Sequence, residues 1–331
     1  MNATKLECAT FRTRLLAWYD EHARDLPWRK DHDPYRVWIS EIMLQQTRVA
    51  AVIEHYHEFL RRFPTVQKLA VVREASVLAA WSGLGYYRRA RMVHKAAKVI
   101  ARELDGKFPA SADGLRELPG IGRYTAAAIA SIAFDEPVAV VDGNVKRVLE
   151  RILGERLARE QLWVTAEKLL DRARPGDFNQ AMMELGATIC TPKAPTCLTC
   201  PVLQLCTTRG EIAPASKALR QHKREVHYAL DCRDGKVFLV QRPSDASLMP
   251  GMWELPEIHQ PKNGATPTLT VRHSITITDY TVKVWRVPCS GKGKAIALQR
   301  VPKLAMTGLA RKILSRAGVL ARFNSKRESG N

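Results

Sequence analysis

The sequence predicts an all-α N-terminal region followed by a small α+β C-terminal unit, on three observations. Residues 5–190 carry apolar positions at helical spacing between short turns, with no sustained period-2 alternation. Residues 210–224 are polar and basic around Pro214, as suits a linker. From residue 226 onward short alternating runs take over, with Asp234-Gly235 as a hairpin cue between two of them. With 331 residues the chain is long enough for two cores.

In order along the chain, 35–63 reads as helical, broken at Gln45-Gln46-Thr47, with Thr47 expected to cap the second helix. Residues 70–80 and 88–104 read as two amphipathic helices around Gly83-Leu84-Gly85. A short helix ends near Glu117, an Ala-rich helix covers 123–134, and another begins after Asp142. In the C-terminal part, 226–230 and 236–240 are expected to pair across Asp234-Gly235. Residues 268–287 alternate as strands, and 304–317 form a terminal helix. The expected domains are 1–209, a linker 210–225, a second domain 226–321, and a basic disordered tail 322–331.

Hydrophobic residues make up 46% and charged residues 26%, which excludes a disordered chain. The longest apolar stretch, 126–134, is too short to span a membrane, and residues 1–16 are too charged for a secretory signal. A soluble cytoplasmic protein is expected, nucleoid-associated if it binds DNA. The net charge of +19 favours a polyanionic partner, although a plain cationic surface gives the same count.

Four of the seven cysteines stand as Cys190-x6-Cys197-x2-Cys200-x5-Cys206. Four thiolates so close suit one soft metal centre, iron-sulfur or zinc, and a single Cys-x2-Cys pair leans towards iron-sulfur. Cys8, Cys232 and Cys289 read as small core residues. Leu118-Pro119-Gly120-Ile121-Gly122 lies between two helices; Gly120 and Gly122 permit a tight turn whose amides, with the following helix N-terminus, make a seat for a DNA phosphate. A plain interhelical turn is the alternative.

Two carboxylates stand out. Glu41 interrupts the apolar run Trp38-Ile39-Ser40-Glu41-Ile42-Met43-Leu44 with no base at helical spacing, so it is either an exposed helix-face residue or a buried acid with a raised pKa. Asp142 follows the apolar run 138–141 and opens a helix. It reads as an ordinary N-cap, or as a carboxylate kept ionised by helix amides and facing a developing cation. One acid and one anion are the pair that breaks a glycosidic bond.

The hairpin Leu118 to Gly122, Val141-Asp142-Gly143-Asn144 and the cysteine spacing together resemble the helix-hairpin-helix DNA glycosylases with a [4Fe-4S] cluster. Endonuclease III-like members carry a nucleophilic lysine two residues after the second hairpin glycine, where this chain has Tyr124. Leu26-Pro27-Trp28-Arg29, Leu44-Gln45-Gln46-Thr47, Trp81-Ser82-Gly83-Leu84-Gly85-Tyr86-Tyr87 and the segment from Met249 to Pro256 are similar to the MutY adenine DNA glycosylase family, the last to its MutT-like domain.

The resemblance implies two helical lobes with a cluster loop, then a noncatalytic MutT-like domain that reads the mismatch. It implies a monomeric, monofunctional enzyme that flips adenine out of duplex DNA, opposite 8-oxoguanine or guanine, and leaves an abasic site. Glu41 would protonate the adenine and Asp142 would stabilise the sugar cation, supported by Asn144 and Tyr124. Arg24, Trp28, Arg29, Leu44 and Gln180 would form the adenine pocket. Gln46 and Tyr86 would wedge into the duplex, and Thr47 and Leu84 would touch the opposite base. Cys190, Cys197, Cys200 and Cys206 would hold the cluster.

One segment departs from the family. The Phe-Ser-His triplet that reads 8-oxoguanine matches Ile275-Thr276-Ile277 here, so Thr276 keeps a hydroxyl and the expected preference is weaker. Nudix hydrolysis is not expected, because Ala265 and Thr266 stand where acids would hold magnesium. The alternatives are an endonuclease III-like glycosylase/lyase and a noncatalytic DNA-binding protein.

Overall fold

The computed structural model describes residues 7–212, 222–261, 266–275 and 278–320. Its helices are α1 (Cys8–His22), α2 (Pro34–Leu44), α3 (Val49–Arg62), α4 (Val66–Val71), α5 (Glu74–Ala80), α6 (Arg88–Glu103), α7 (Ala112–Arg116), α8 (Arg123–Phe134), α9 (Gly143–Leu153), α10 (Arg159–Leu169), α11 (Pro175–Thr188) and α12 (Gly308–Arg316). The strands are β1 (His222–Ala229), β2 (Cys232–Arg233), β3 (Lys236–Gln241), β4 (Trp253–Glu254), β5 (Glu257–Ile258), β6 (Leu269–Ile275), β7 (Thr278–Trp285) and β8 (Lys294–Ala297). The chain divides into two compact units, 1–70 with 95–215, and 71–94 with 216–331.

In the first unit α2 and α8 pack together as buried helices. Val37 to Met43 of α2 and Thr125 to Ile132 of α8 are buried residue after residue, so a polar side chain between them loses water whichever way it points. Asp33 starts α2, accepting from the amides of Tyr35 (2.8 Å) and Arg36 (3.1 Å), with Pro34 at the first helical position. A second core joins α1, α9, α10 and α11 around Phe11, Leu15, Leu149 and Leu185. Helix α11 comes so close to the start of α9 that a Cβ on Gly186 would lie 2.6 Å from Asn144 Cβ.

The apolar run 138–141 is an extended connector whose backbone is satisfied by side chains. The amide of Val140 donates to Asn179 Oδ1 (3.1 Å), Asn179 Nδ2 donates to the Val138 carbonyl (2.8 Å), and the Ala139 amide donates to Glu167 (2.8 Å). These bonds fix where Asp142 emerges.

In the second unit one sheet runs β5-β1-β7-β6, with β1 and β7 parallel and the outer pairs antiparallel. The other runs β2-β3-β4, with β8 also on β3. Val226, Val237, Leu239, Val271, Val282 and Val284 meet Ile313 and Leu314 of α12 in its core. Residues 71–94 belong here: Tyr87 Oη donates to the Met306 carbonyl (2.8 Å), and Arg91 reaches the Pro250 carbonyl (2.7 Å) and pairs with Glu74.

Several local expectations are corrected. Thr47 does not cap α3; Arg48 holds that position without a side-chain bond, and Thr47 donates back to the Gln45 carbonyl at 3.3 Å. The helix expected over 70–80 is split, because Arg73 takes an extended backbone and restarts the chain as α5. The terminal helix starts at Gly308, where the Thr307 hydroxyl accepts from the Ala310 amide. Asp234-Gly235 does turn a hairpin, both residues at positive φ, but it joins β2 to β3; β1 pairs with β7 and β5. Most of the linker, Thr276 and the C-terminal tail lie outside the described residues.

Candidate active site

A cleft of about 800 Å³ opens in the first unit. It brings together Arg24, Trp28, Arg29, Glu41, Leu44, Gln46, Thr47, Gly120, Gly122, Tyr124, Asp142, Asn144 and Gln180 from α2, α8, α9, α11 and the segments between helices. Glu41 sits within it with 5% of its surface exposed. The exposed helix-face alternative is thereby excluded. Burial pushes the Glu41 carboxyl up to about 7, the Tyr124 bond opposes that, Asp142 adds to it, and Arg29 pulls it down. Tyr124 Oη donates to Glu41 Oε2 at 2.6 Å.

Asp142 caps α9, accepting from the Val145 amide (2.7 Å) and from Asn144 Nδ2 (3.0 Å). The N-cap reading and the site reading are therefore compatible. Helix amides were expected to dominate its ionisation; instead burial outweighs them and raises its pKa, against the amides of Val145 and Asn144, the Asn144 side chain and Arg147. Asn144 is held in turn by Arg147 (2.8 Å), which also donates to the carbonyls of Gly186 (2.6 Å) and Cys190 (2.7 Å). Gly120 turns the hairpin at φ 79°, Gly122 caps the N-terminus of α8, and both glycines line the cleft.

A family profile described as "HhH-GPD superfamily base excision DNA repair protein" matches residues 39–172, a span holding Glu41, the hairpin, Tyr124, Asp142 and Asn144. The solved structure of a thermostable thymine-DNA glycosylase aligns with a TM-score of 0.59 and 30% identity, covering 63% of this chain and 99% of that one. The chain belongs to the HhH-GPD superfamily. Curated relatives of this superfamily member include the adenine DNA glycosylase of Mus musculus, 41% identical over 316 residues, covering 76% of this chain and 61% of the relative. That of Homo sapiens is 49% identical over 221 residues, covering 62% and 40%. The chain thus spans between 40% and 61% of the length of these two relatives.

Sequence reasoning missed one residue of this HhH-GPD site. Glu184, on α11 one turn beyond Gln180, lines the cleft, and its carboxylate binds Arg24 Nε (2.5 Å), Arg24 Nη2 (2.8 Å) and Arg29 Nη2 (2.8 Å). Burial pushes its pKa up, but the two guanidiniums outweigh burial and hold it below the ordinary range. Arg29 also lies 5.4 Å from the centre of the Tyr19 ring. Both arginines are thus fixed before any ligand enters. An acid at helical spacing from a pocket residue, inside the apolar run 181–187, was the available signal.

Leu84 and Tyr86 belong to the second unit. Leu84 is buried, whereas Tyr86 is 52% exposed at φ 47°. Gln46 shares that left-handed backbone at φ 57°. The thiols of Cys190, Cys197, Cys200 and Cys206 are near enough to perturb one another: burial pushes Cys200 up to about 11, and Cys190, Cys206 and Cys197 push the same way. Arg151 Nη1 reaches Cys190 Sγ (3.3 Å), and the Cys206 thiol donates to the Arg151 carbonyl (3.3 Å). Among the described residues, however, no three His, Cys, Asp or Glu side chains stand in a ligating arrangement. Cys8, Cys232 and Cys289 are half-buried; Cys8 and Cys232 pack against the two cores. No helix among the described residues is long and apolar enough to cross a membrane.

Proposed function

We propose that the protein is a monofunctional adenine DNA glycosylase of base excision repair. It acts on adenine opposite 8-oxoguanine or guanine in duplex DNA, as a soluble monomer. The observation that carries this reading is the buried Glu41, with a pKa near 7, in one cleft with the capped Asp142. Two carboxyls in environments this different divide the labour of glycoside cleavage.

The flipped adenine enters among Trp28, Arg29 and Leu44, with Gln180 presenting an amide to its edge. Protonated Glu41 donates to the base, whose C1′–N9 electrons leave with it. The Asp142 carboxylate, steadied by Asn144 and Arg147, offsets the positive charge on the sugar until water adds at C1′ and loses a proton, which leaves the abasic site. Tyr124 occupies the place of an amine nucleophile, so no Schiff base forms and the abasic strand stays intact. Gly120 and Gly122 hold a backbone phosphate.

The four cysteines suit a [4Fe-4S] cluster by donor chemistry: all four are thiols, and Arg151, 3.3 Å from Cys190 Sγ, would balance thiolate charge. The cluster would order the loop 190–206. Incubating the iron-reconstituted protein with a duplex carrying adenine opposite 8-oxoguanine tests the main claim. Strand breakage only after alkali supports it. Breakage without alkali supports a lyase instead, and an uncut duplex after alkali refutes excision.

A further inference from the structure

We infer that Arg89 is a positioning residue that sets Tyr86 in its exposed posture, so that the ring is ready to enter a stack of bases. Its use on DNA rests on the glycosylase reading above; the posture itself does not.

Tyr86 is an improbable residue where it stands. Its backbone is left-handed, a region that side chains other than glycine rarely adopt, and half of a large aromatic surface faces water. Ahead of it the chain is pliable, since Gly83 (φ 114°) and Gly85 (φ 70°) both turn within the three residues before Tyr86. A loop of this kind needs an external hold to keep one conformation.

Arg89, in the first turn of α6, supplies that hold in two ways. Its Nη2 donates to the carbonyls of Leu84 (3.2 Å) and Gly85 (3.4 Å), bridging the two residues before Tyr86. Its guanidinium also lies over two rings, 5.5 Å from the centre of Trp81 and 5.6 Å from that of Tyr86. Trp81 is fully buried and donates its indole N–H to the same Gly85 carbonyl (3.2 Å), which makes it a fixed floor. The order is therefore floor, cation, exposed ring. Burial lowers the Arg89 pKa only to about 10, so the group stays charged at neutral pH. A lysine keeps the charge but not the planar guanidinium that lies over both rings.

Two measurements on the full chain test this. In the protein without DNA, Arg89→Met keeps a long side chain on Trp81 but removes donors and charge. Hydrogen exchange at the amides of 84–86 is expected to speed up by about tenfold or more, with the rest of α6 unchanged. On a duplex with adenine opposite 8-oxoguanine, the single-turnover rate is expected to fall about tenfold. Adding Tyr86→Ala to Arg89→Met is expected to cost no more than Tyr86→Ala alone, because both variants remove the same posture. Arg89→Lys, which keeps the charge, is expected to recover part of both losses. Unchanged exchange at 84–86, or losses that multiply in the double variant, overturns the inference. If the unaltered protein excises no adenine, the glycosylase reading falls while the exchange result still decides the role of Arg89.

Discussion

Replacing Glu41 by Gln removes the charge that the α2–α8 packing makes costly and keeps an oxygen for the Tyr124 hydroxyl. Burial raises the carboxyl from 4.5 to about 7, so between those values the folded chain holds a proton that the unfolded chain has released. Stability contributed at this site is full below pH 4.5 and is lost as pH rises towards 7. At 1.36 kcal/mol per pH unit of pKa difference, the penalty is small at pH 5 and reaches about 3 kcal/mol at pH 8.5. Glu41→Gln should therefore gain about 2.5 kcal/mol on the unaltered protein between those two pH values. Urea unfolding of both proteins at pH 5 and 8.5, followed by tryptophan fluorescence, measures it. The same variant should lose excision, since the amide has no proton of the needed acidity to donate. A stability difference independent of pH would refute the buried, raised carboxyl.

Tyr124→Phe removes the hydrogen bond that pulls Glu41 downward, so the alkaline limb of the single-turnover pH profile, expected near 7 in the unaltered protein, should move up. Glu184→Gln leaves Arg24 and Arg29 without their shared carboxylate; breaking this largely buried pairing should cost about 3 kcal/mol in urea and weaken excision more than DNA binding, measured by anisotropy. Cys200→Ser should lower the iron retained after anaerobic reconstitution below the roughly four atoms per chain expected of the unaltered protein, as read by iron analysis.

What the sequence made legible follows the range of the interactions. Asp142 as a cap, the Gly120–Gly122 turn and α8 are local, set by residue type within a few positions, and they stand where the pattern put them. Burial of Glu41 was foreseeable only as one branch of a choice, since it depends on α8 packing across α2. Glu184 escaped notice because its partners, Arg24 and Arg29, lie at least 155 residues away in the chain. Distance also hid the grouping of 71–94 with the C-terminal half, which runs through Tyr87 and Met306, and the parallel pairing of β1 with β7, which bypasses the hairpin next to it. Arg73 interrupts an expected helix, and Arg48 rather than Thr47 precedes α3, where only propensity was available as a guide.

The central claim is that Glu41 and Asp142 act on one adenine swung out of its duplex. Asp142→Asn tests it most directly, because asparagine caps a helix as well as aspartate and leaves α9 in place while removing the anion. Single-turnover excision and duplex binding, measured on the same samples with adenine opposite 8-oxoguanine, should show excision abolished and binding retained. Adenine release at the unaltered rate would contradict the claim.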